Sequence, residues 1–168
     1  HMRTYMLIQQ ERYRRLEIEI DLDEKEAEHV SVIRLTLQPL VENAFDHGYE
    51  RHRLRPSYIG IVGKKHADYY SLKVLDKGHG MDEDLMAQYN RAFKGSINRI
   101  NETSELSPFQ RIGMWNVHAR LAMHFGETYG LRIERSNEQG TLIEIRLPLL
   151  HNEVGHAKKE NETHVQSH

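Results

Sequence analysis

The chain has 168 residues, and 23 Lys plus Arg against 25 Asp plus Glu leave a formal net charge of -2. That length fits one domain, and the near-neutral balance argues against a generic nucleic-acid binder. There is no Cys, which excludes a disulfide scaffold, thiolate catalysis and Cys-ligated zinc, while 12 His raise the question of a metal. No apolar run approaches the roughly 20 residues that span a bilayer, and no signal peptide is visible. His1-Met2 reads as a vector remnant before an internal start, so the chain reads as a piece of a longer protein.

Residues 3–13 form a short helix candidate with Tyr5, Ile8 and Arg12 along one side. Over 15–21, Leu16, Ile18 and Ile20 alternate with charged residues, the period of a half-buried strand. Residues 22–30 are acidic and loop-like. From Val32 to Gly48 the apolar positions Leu37, Leu40, Val41, Ala44 and Phe45 follow helical spacing. Pro39 conflicts with a helix interior, so the helix either starts near Gln38 or is distorted there, and Gly48 ends it. Strands follow at 57–65 and 69–76, the second with Leu72, Val74 and Asp76 on one face. A helix at 82–93 has Asp82 as its cap. Residues 94–112, rich in Ser, Asn, Thr and Gly, form a long irregular stretch of the kind that often serves as a lid. A helix at 113–125 stops at Gly126, and strands at 129–136 and 141–147 flank a turn. Residues 151–168 are polar, without periodicity, and read as disordered. This order predicts a mixed sheet with helices on one face, a two-layer α/β sandwich.

Three clusters carry chemistry. In Glu42-Asn43-Ala44-Phe45-Asp46-His47-Gly48, a helix places Asn43, Asp46 and His47 on the face opposite the apolar stripe. An amide oxygen there is a hard ligand suited to a phosphate-bound divalent cation. The same residues also fit the wet side of an amphipathic helix. In Asp76-Lys77-Gly78-His79-Gly80-Met81, a carboxylate at a strand end can accept from an exocyclic amine, and the glycines let a flat ring approach the backbone. A plain glycine turn is the other reading. In Arg111-Ile112-Gly113-Met114-Trp115-Asn116, a loop enters a helix whose free amides could bind an anion, or the glycine is simply a hinge. Arg91, Lys94, Arg99 and Arg111 could add positive charge nearby.

In this order and spacing the clusters resemble the ATP-binding domain of the GHKL superfamily, in its sensor histidine kinase branch of the LytS/YesM type. LTLQPLVENAFDHG at 35–48 is similar to that branch's asparagine box. DKGHGM at 76–81 resembles the first glycine box, RIGMWNVHARLAMHFG at 111–126 the second with its helix, and GTLIEIRLP at 140–148 the last motif. YMLIQQERY at 5–13 resembles the end of the helix leading from a dimerisation domain.

The resemblance implies a Bergerat-type fold over 14–150 that binds ATP and magnesium. It makes Asn43 the magnesium ligand and Asp76 the partner of the adenine amine. Gly78, Gly80 and Met81 would shape the pocket, Thr141 would support adenine through water, and Gly113 with Met114 would begin the phosphate-holding segment. Asp46 and His47 would line the same helix face, and 82–112 would be the lid. Two departures stand out: Arg111 occupies the position of a motif glycine and Met114 that of a Leu, which predicts reduced nucleotide affinity. Lys77 replaces a usual Asn. The hydrolytic members carry a Glu four residues before the magnesium Asn; here that position is Pro39, and Glu42 points about 100° around the helix. Kinase chemistry is therefore favoured over dedicated hydrolysis.

The acceptor histidine in this branch lies in an upstream Pro-His-Phe helix, absent here, so this chain is expected to bind ATP without phosphorylating itself. The implied partners are its own upstream dimerisation domain, a second copy of the parent and a response regulator. The implied location is the cytoplasmic side of an integral membrane protein of a bacterial cell, with this piece outside the bilayer. The alternative is a degenerate nucleotide-binding or interaction module of the same fold, and a third reading is a His-rich metal protein. Scattered His spacing counts against that third reading, because His118 and His124 are not an i, i+4 pair.

Overall fold

The computed structural model describes residues 2–22, 30–95 and 111–149. Five strands form one mixed sheet in the order β1-β2-β3-β5-β4. β1 (Glu17–Asp21) runs parallel to β2 (Tyr58–Lys65). β2 pairs antiparallel with β3 (Tyr69–Asp76), β3 with β5 (Gly140–Pro148), and β5 with β4 (Gly130–Asn137). The helices are α1 (Met2–Arg12), α2 (Val30–Asn43), α3 (Glu83–Lys94) and α4 (Asn116–Phe125). The α/β sandwich expected from the element order is the observed fold. Among the described residues, no helix is long and apolar enough to cross a membrane.

Strand alternation builds the core. Leu72 faces Ile145 and Val74 faces both Ile143 and Ile61 across the ladders, all on one side of the sheet. Leu37, Leu40 and Val41 of α2 are buried with them in the same cluster. The outer sheet face is polar: Lys73 pairs with Glu134 at 3.0 Å, the Ser71 hydroxyl donates to Glu144 at 3.0 Å, and Arg146 lies 4.1 Å from the Tyr69 ring centre. β1 is an edge strand, so Ile20 is 41% exposed even though it alternates with charged residues as a half-buried strand does.

Several expectations need correction. α1 buries Met6 and Gln9, whereas Ile8 is exposed. α2 starts at Val30 and carries Pro39 inside it, so the helix does not start at Gln38. The helical path also does not end at Gly48. It continues from α2 as a π turn over Ala44–Tyr49 and a 3₁₀ turn over Glu50–His52, where Arg53 takes a left-handed φ of 55°. Helical backbone on the other side already runs from Arg111, as a π turn to Trp115 that leads into α4. Gly113 is therefore inside this stretch and does not open it. The lid was expected over 82–112, but α3 is packed, with Tyr89, Ala92 and Phe93 buried. Its Asp82 cap accepts from the Leu85 amide at 2.8 Å, as expected. Residues 96–110 and the tail from 150 lie outside the described residues.

Two side chains close the free edge of β4. The Asn90 carboxamide donates to the Ile133 carbonyl and accepts from the Ile133 amide, both at 2.9 Å, as a neighbouring strand would. His118 Nδ1 accepts from the Leu131 amide at 2.9 Å. The His118 ring sits 4.7 Å from Phe93 and 5.6 Å from Trp115, and burial lowers its pKa to about 4 against an opposing bond to the Phe93 backbone. His118 is therefore a neutral core group tying α3, α4 and β4 together.

Asn90→Leu should destabilise the domain by about 1–3 kcal/mol by leaving both Ile133 groups without partners. It should also promote self-association along β4, read by urea unfolding and sedimentation velocity. For His118, the folded pKa lies below the unfolded value, so the unfolded chain takes the proton first. Its stabilisation is full above about pH 6.5 and declines as pH falls toward 4. Between about pH 7 and pH 5 the wild type should lose about 2 kcal/mol more than His118→Gln. Equal losses in the two proteins would show that His118 does not carry the effect.

Candidate nucleotide site

A cleft opens between α2 with its π turn, the end of β3, α3 and the start of β5. Asn43, His47, Asp76, Gly80, Met81 and Thr141 line it, joined by Met114 from the Arg111–Trp115 turn. Apolar walls come from Leu40, Val74, Leu85 and Ile143. Seven of the residues singled out in the sequence thus meet in one place.

The π turn explains which residues of the first cluster reach the cleft. A π turn has i→i+5 bonds and holds more residues per turn than an α-helix. Positions four apart, Asn43 and His47, then fall nearly in line, and both face the cleft. Asp46 is rotated away and pairs with Arg51 at 3.3 Å and His47 at 3.6 Å. It does not line the cleft. Burial and then the Arg51 charge lower the His47 pKa. Glu42 points outward, where it accepts from the Gln38 amide at 3.1 Å.

Asp76 is the buried charge of the site, only 6% exposed. Its Oδ1 accepts from the Gly78 amide at 2.8 Å and the Thr141 amide at 3.3 Å. Those bonds favour the carboxylate, but loss of solvent outweighs them and pushes the pKa up to about 6. At neutral pH the group is mostly ionised and needs a further donor.

Backbone crowds around this carboxylate. A Cβ on Gly48 would lie 3.3 Å from Asp76 Oδ1. A Cβ on Gly78 would run into the Gly48 carbonyl, which accepts from the His79 amide at 2.7 Å. Gly78 is thus buried behind the cleft and does not line it. Gly80 has φ of 71° and presses on the Asn137 carbonyl, so the loop leaving β3 is jammed against the β4–β5 hairpin. The Ser136 hydroxyl joins the two, accepting from the Met81 amide at 2.8 Å and lying 2.7 Å from Thr141 Oγ1. Gly113 lies beside Asn43: a Cβ there would sit 2.9 Å from Asn43 Oδ1. Gly113 itself is not among the residues that line the cleft.

Sequence reasoning passed over several residues. The buried Tyr49 hydroxyl donates to the Tyr58 carbonyl at 2.7 Å and accepts from the Lys77 amide at 2.9 Å, anchoring the π turn to β2 and to the glycine loop. His52 stacks on His79 with ring centres 3.6 Å apart at the cleft margin. Ser136 and Tyr49 have no local signal, because their partners are distant in sequence. Lys77 lies 4.3 Å from the Tyr58 ring centre, away from the cleft lining. No group of three or more His, Asp or Glu suited to a metal ion occurs among the described residues.

The family model described as "Histidine kinase-, DNA gyrase B-, and HSP90-like ATPase" matches residues 28–151. The chain belongs to this ATPase family. Membership implies an ATP-binding domain. Over 148 residues the chain is 37% identical to the sensor histidine kinase YesM of Bacillus subtilis, covering 88% of this chain and 22% of that protein. It is 32% identical to the sensor histidine kinase YpdA of Escherichia coli, covering 88% and 23%. The sensor protein LytS of Bacillus subtilis is 25% identical, covering 99% and 25%. The chain thus spans about a quarter of the length of these relatives. Among solved structures, the mycobacterial sensor histidine kinase MprB matches at a TM-score of 0.52 with 17% identity, covering 87% of this chain and 89% of that one. The Acinetobacter baumannii histidine kinase AdeS matches at 0.52 with 15% identity, covering 88% and 61%. These two establish likeness of fold.

The raised Asp76 pKa sets a trade between stability and binding. A carboxyl group whose folded pKa is raised favours the fold when protonated, and that advantage is lost as pH rises from about 4 through 6. Asp76→Asn keeps an oxygen for the Gly78 and Thr141 amides and removes the buried charge. It should be more stable than wild type by up to about 3 kcal/mol at about pH 7.5, with the gap closing near pH 4. Denaturant unfolding at both pH values checks this, and a gap independent of pH would count against a charge penalty.

Proposed function

We propose that this chain is the catalytic ATP-binding domain of a two-component sensor histidine kinase. On this reading it positions magnesium-ATP for transfer of the γ-phosphoryl group to a histidine on a separate dimerisation domain. The observation that carries it is the convergence of the buried Asp76 carboxylate with Asn43 in one apolar-walled cleft. The names of the relatives support the kinase setting.

Asp76 is the acceptor for the exocyclic amine of adenine. Gly80 and Met81 give the base its flat approach, and Gly78 lets the loop seat itself on Gly48. Thr141 supports the ring at its polar edge. Asn43 Oδ1, a neutral hard oxygen beside the side-chain-free Gly113, would hold a magnesium ion. Magnesium supplies charge neutralisation on the transferring phosphoryl group. Gly113 and Met114 lie along the phosphate side, with His47 next to Asn43 on the helix face. Asp46 is better read as a partner of Arg51 and His47 than as a nucleotide contact.

The catalytic part played by the chain is positioning. Glu42 faces away from the cleft and Pro39 precedes Asn43 by four residues, so no carboxylate stands ready at these positions to activate water. That favours transfer to a histidine over hydrolysis. The parent protein, in this proposal, is a homodimer whose dimerisation domain joins through α1, whose partner is a response regulator, and which is held at a bacterial cell membrane by segments outside this chain. α1 is coupled to the site, since Tyr5 meets Phe45 of the π turn edge-on at 6.0 Å and Tyr13 bonds Glu50 at 3.0 Å.

Titration with a fluorescent ATP analogue tests the reading. The wild type should bind with magnesium, Asn43→Ala should lose the magnesium-dependent part, and Asp76→Ala should lose selectivity for adenine. Absence of binding at high micromolar nucleotide would overturn the catalytic reading in favour of a degenerate module.

A further inference from the structure

Ser136 lies opposite Thr141 across the β4–β5 hairpin. Thr141 lines the cleft; Ser136 sits behind it and is buried. The Ser136 hydroxyl has one proton to give and lone pairs to receive with. One lone pair is taken by the Met81 amide at 2.8 Å, and its other neighbour is Thr141 Oγ1 at 2.7 Å.

The proton count decides the direction of that second bond. If Thr141 donated, the buried Ser136 proton would be left with no acceptor among the described residues. If Ser136 donates, its own proton is used, and the proton left over is that of Thr141, a residue that lines the cleft where a ligand could accept it. The Thr141 amide is meanwhile committed to Asp76 Oδ1. The cleft therefore offers an acceptor, Asp76, beside a hydroxyl donor, Thr141. Adenine presents the complementary pair on its Watson–Crick edge: an amino donor next to a ring-nitrogen acceptor. Guanine presents the reverse, a carbonyl acceptor next to an N–H donor.

We propose that Ser136 is a positioning residue that holds the Thr141 hydroxyl as a hydrogen-bond donor into the cleft, and so selects adenine through its ring-nitrogen acceptor. Ser136 makes no contact with the ligand. It acts by donating to one lone pair of Thr141, directly opposite, which leaves the Thr141 proton for the ligand, and by pinning the Met81 amide of the glycine loop. The donor serves equally well against the base itself or through one bridging water. This inference rests on the reading of the cleft as an ATP site.

The test pairs a side-chain deletion with a ligand deletion. Calorimetric titrations with magnesium compare wild type, Ser136→Ala and Ser136→Thr. The ligands are ATP and a deaza analogue in which carbon replaces the ring nitrogen bonded to the amino-bearing carbon. Wild type should prefer ATP over the analogue by about tenfold, the worth of one hydrogen bond at its upper range. Ser136→Ala should weaken ATP by about five- to tenfold, leave the analogue unchanged and so remove the preference. Ser136→Thr, which keeps the hydroxyl, should restore it. Equal weakening of both ligands by Ser136→Ala would reduce Ser136 to a structural support and overturn the proposal, as would an unchanged preference. Should Ser136→Ala not fold, Ser136→Cys, with its weak thiol donor, replaces it: loss of the preference supports the proposal and an unmoved preference overturns it. Failure of the wild type to bind ATP at all removes the ATP reading itself, and this proposal with it. Wild-type binding with an unmoved preference removes this proposal alone.

Discussion

Holding the Asp76 carboxylate out of water shapes this domain more than any other single requirement. Burial raises the free energy of the charged form, and two backbone amides only partly offset it. To bring those amides within reach, the loop after β3 must fold back tightly and the β4–β5 hairpin must close over it. At Gly78, Gly80 and Gly140 the chain passes so close that a Cβ would collide with neighbouring backbone, and at Gly48 a Cβ would press on the carboxylate itself. Three segments far apart in sequence thus crowd around one charged group. The cleft is what remains between them, with Asp76 on its lining.

The helix layer is arranged around the same point. α2 packs its apolar stripe on the sheet, then widens into a π turn as it passes Asp76. The wider turn costs hydrogen-bond geometry, and π turns are typically kept where a site needs them. Here it aligns Asn43 with His47 and lets Tyr49 reach both β2 and the glycine loop. A second π turn, Arg111–Trp115, faces the first and brings Gly113 against Asn43. On the far side, His118 and Asn90 tie α4 and α3 to the edge of β4, so the wall carrying Leu85 and Tyr89 is anchored to the sheet. Among the described residues, histidines that first suggested metal serve other ends: His118 is a neutral core group, while His52 and His79 stack at the cleft margin.

Much of this was readable from local pattern. Strand-like runs located the five strands, with period-two alternation at 15–21 and within 69–76, because one sheet face is apolar and the other polar. Helical spacing located α2, α3 and α4, and the polar face of α2 pointed to Asn43 and His47. Asp76 with Gly78 and Gly80 stood out as a carboxylate followed by residues lacking Cβ. The errors share a cause. Gly48 looked like a helix end, but its missing side chain answers to Asp76, a contact 28 positions away in sequence. Asp46 looked like a site residue because α-helical geometry was assumed where the backbone takes a π turn. Gly113 looked like the mouth of a helix that in fact begins earlier.

The sequence by itself therefore determined the element order, the two-layer class, the family and most of the cleft's polar residues. Each of these depends on spacing along a few turns or strand positions. Only the tertiary structure decided which backbone atoms would crowd Asp76, that Tyr49 and Ser136 would support the loop, and that Asn90 and His118 would close the edge of β4. Those roles arise from hydrogen bonds between distant segments, and a hydroxyl or amide gives no sign in sequence of the partner that folding will place about 3 Å away.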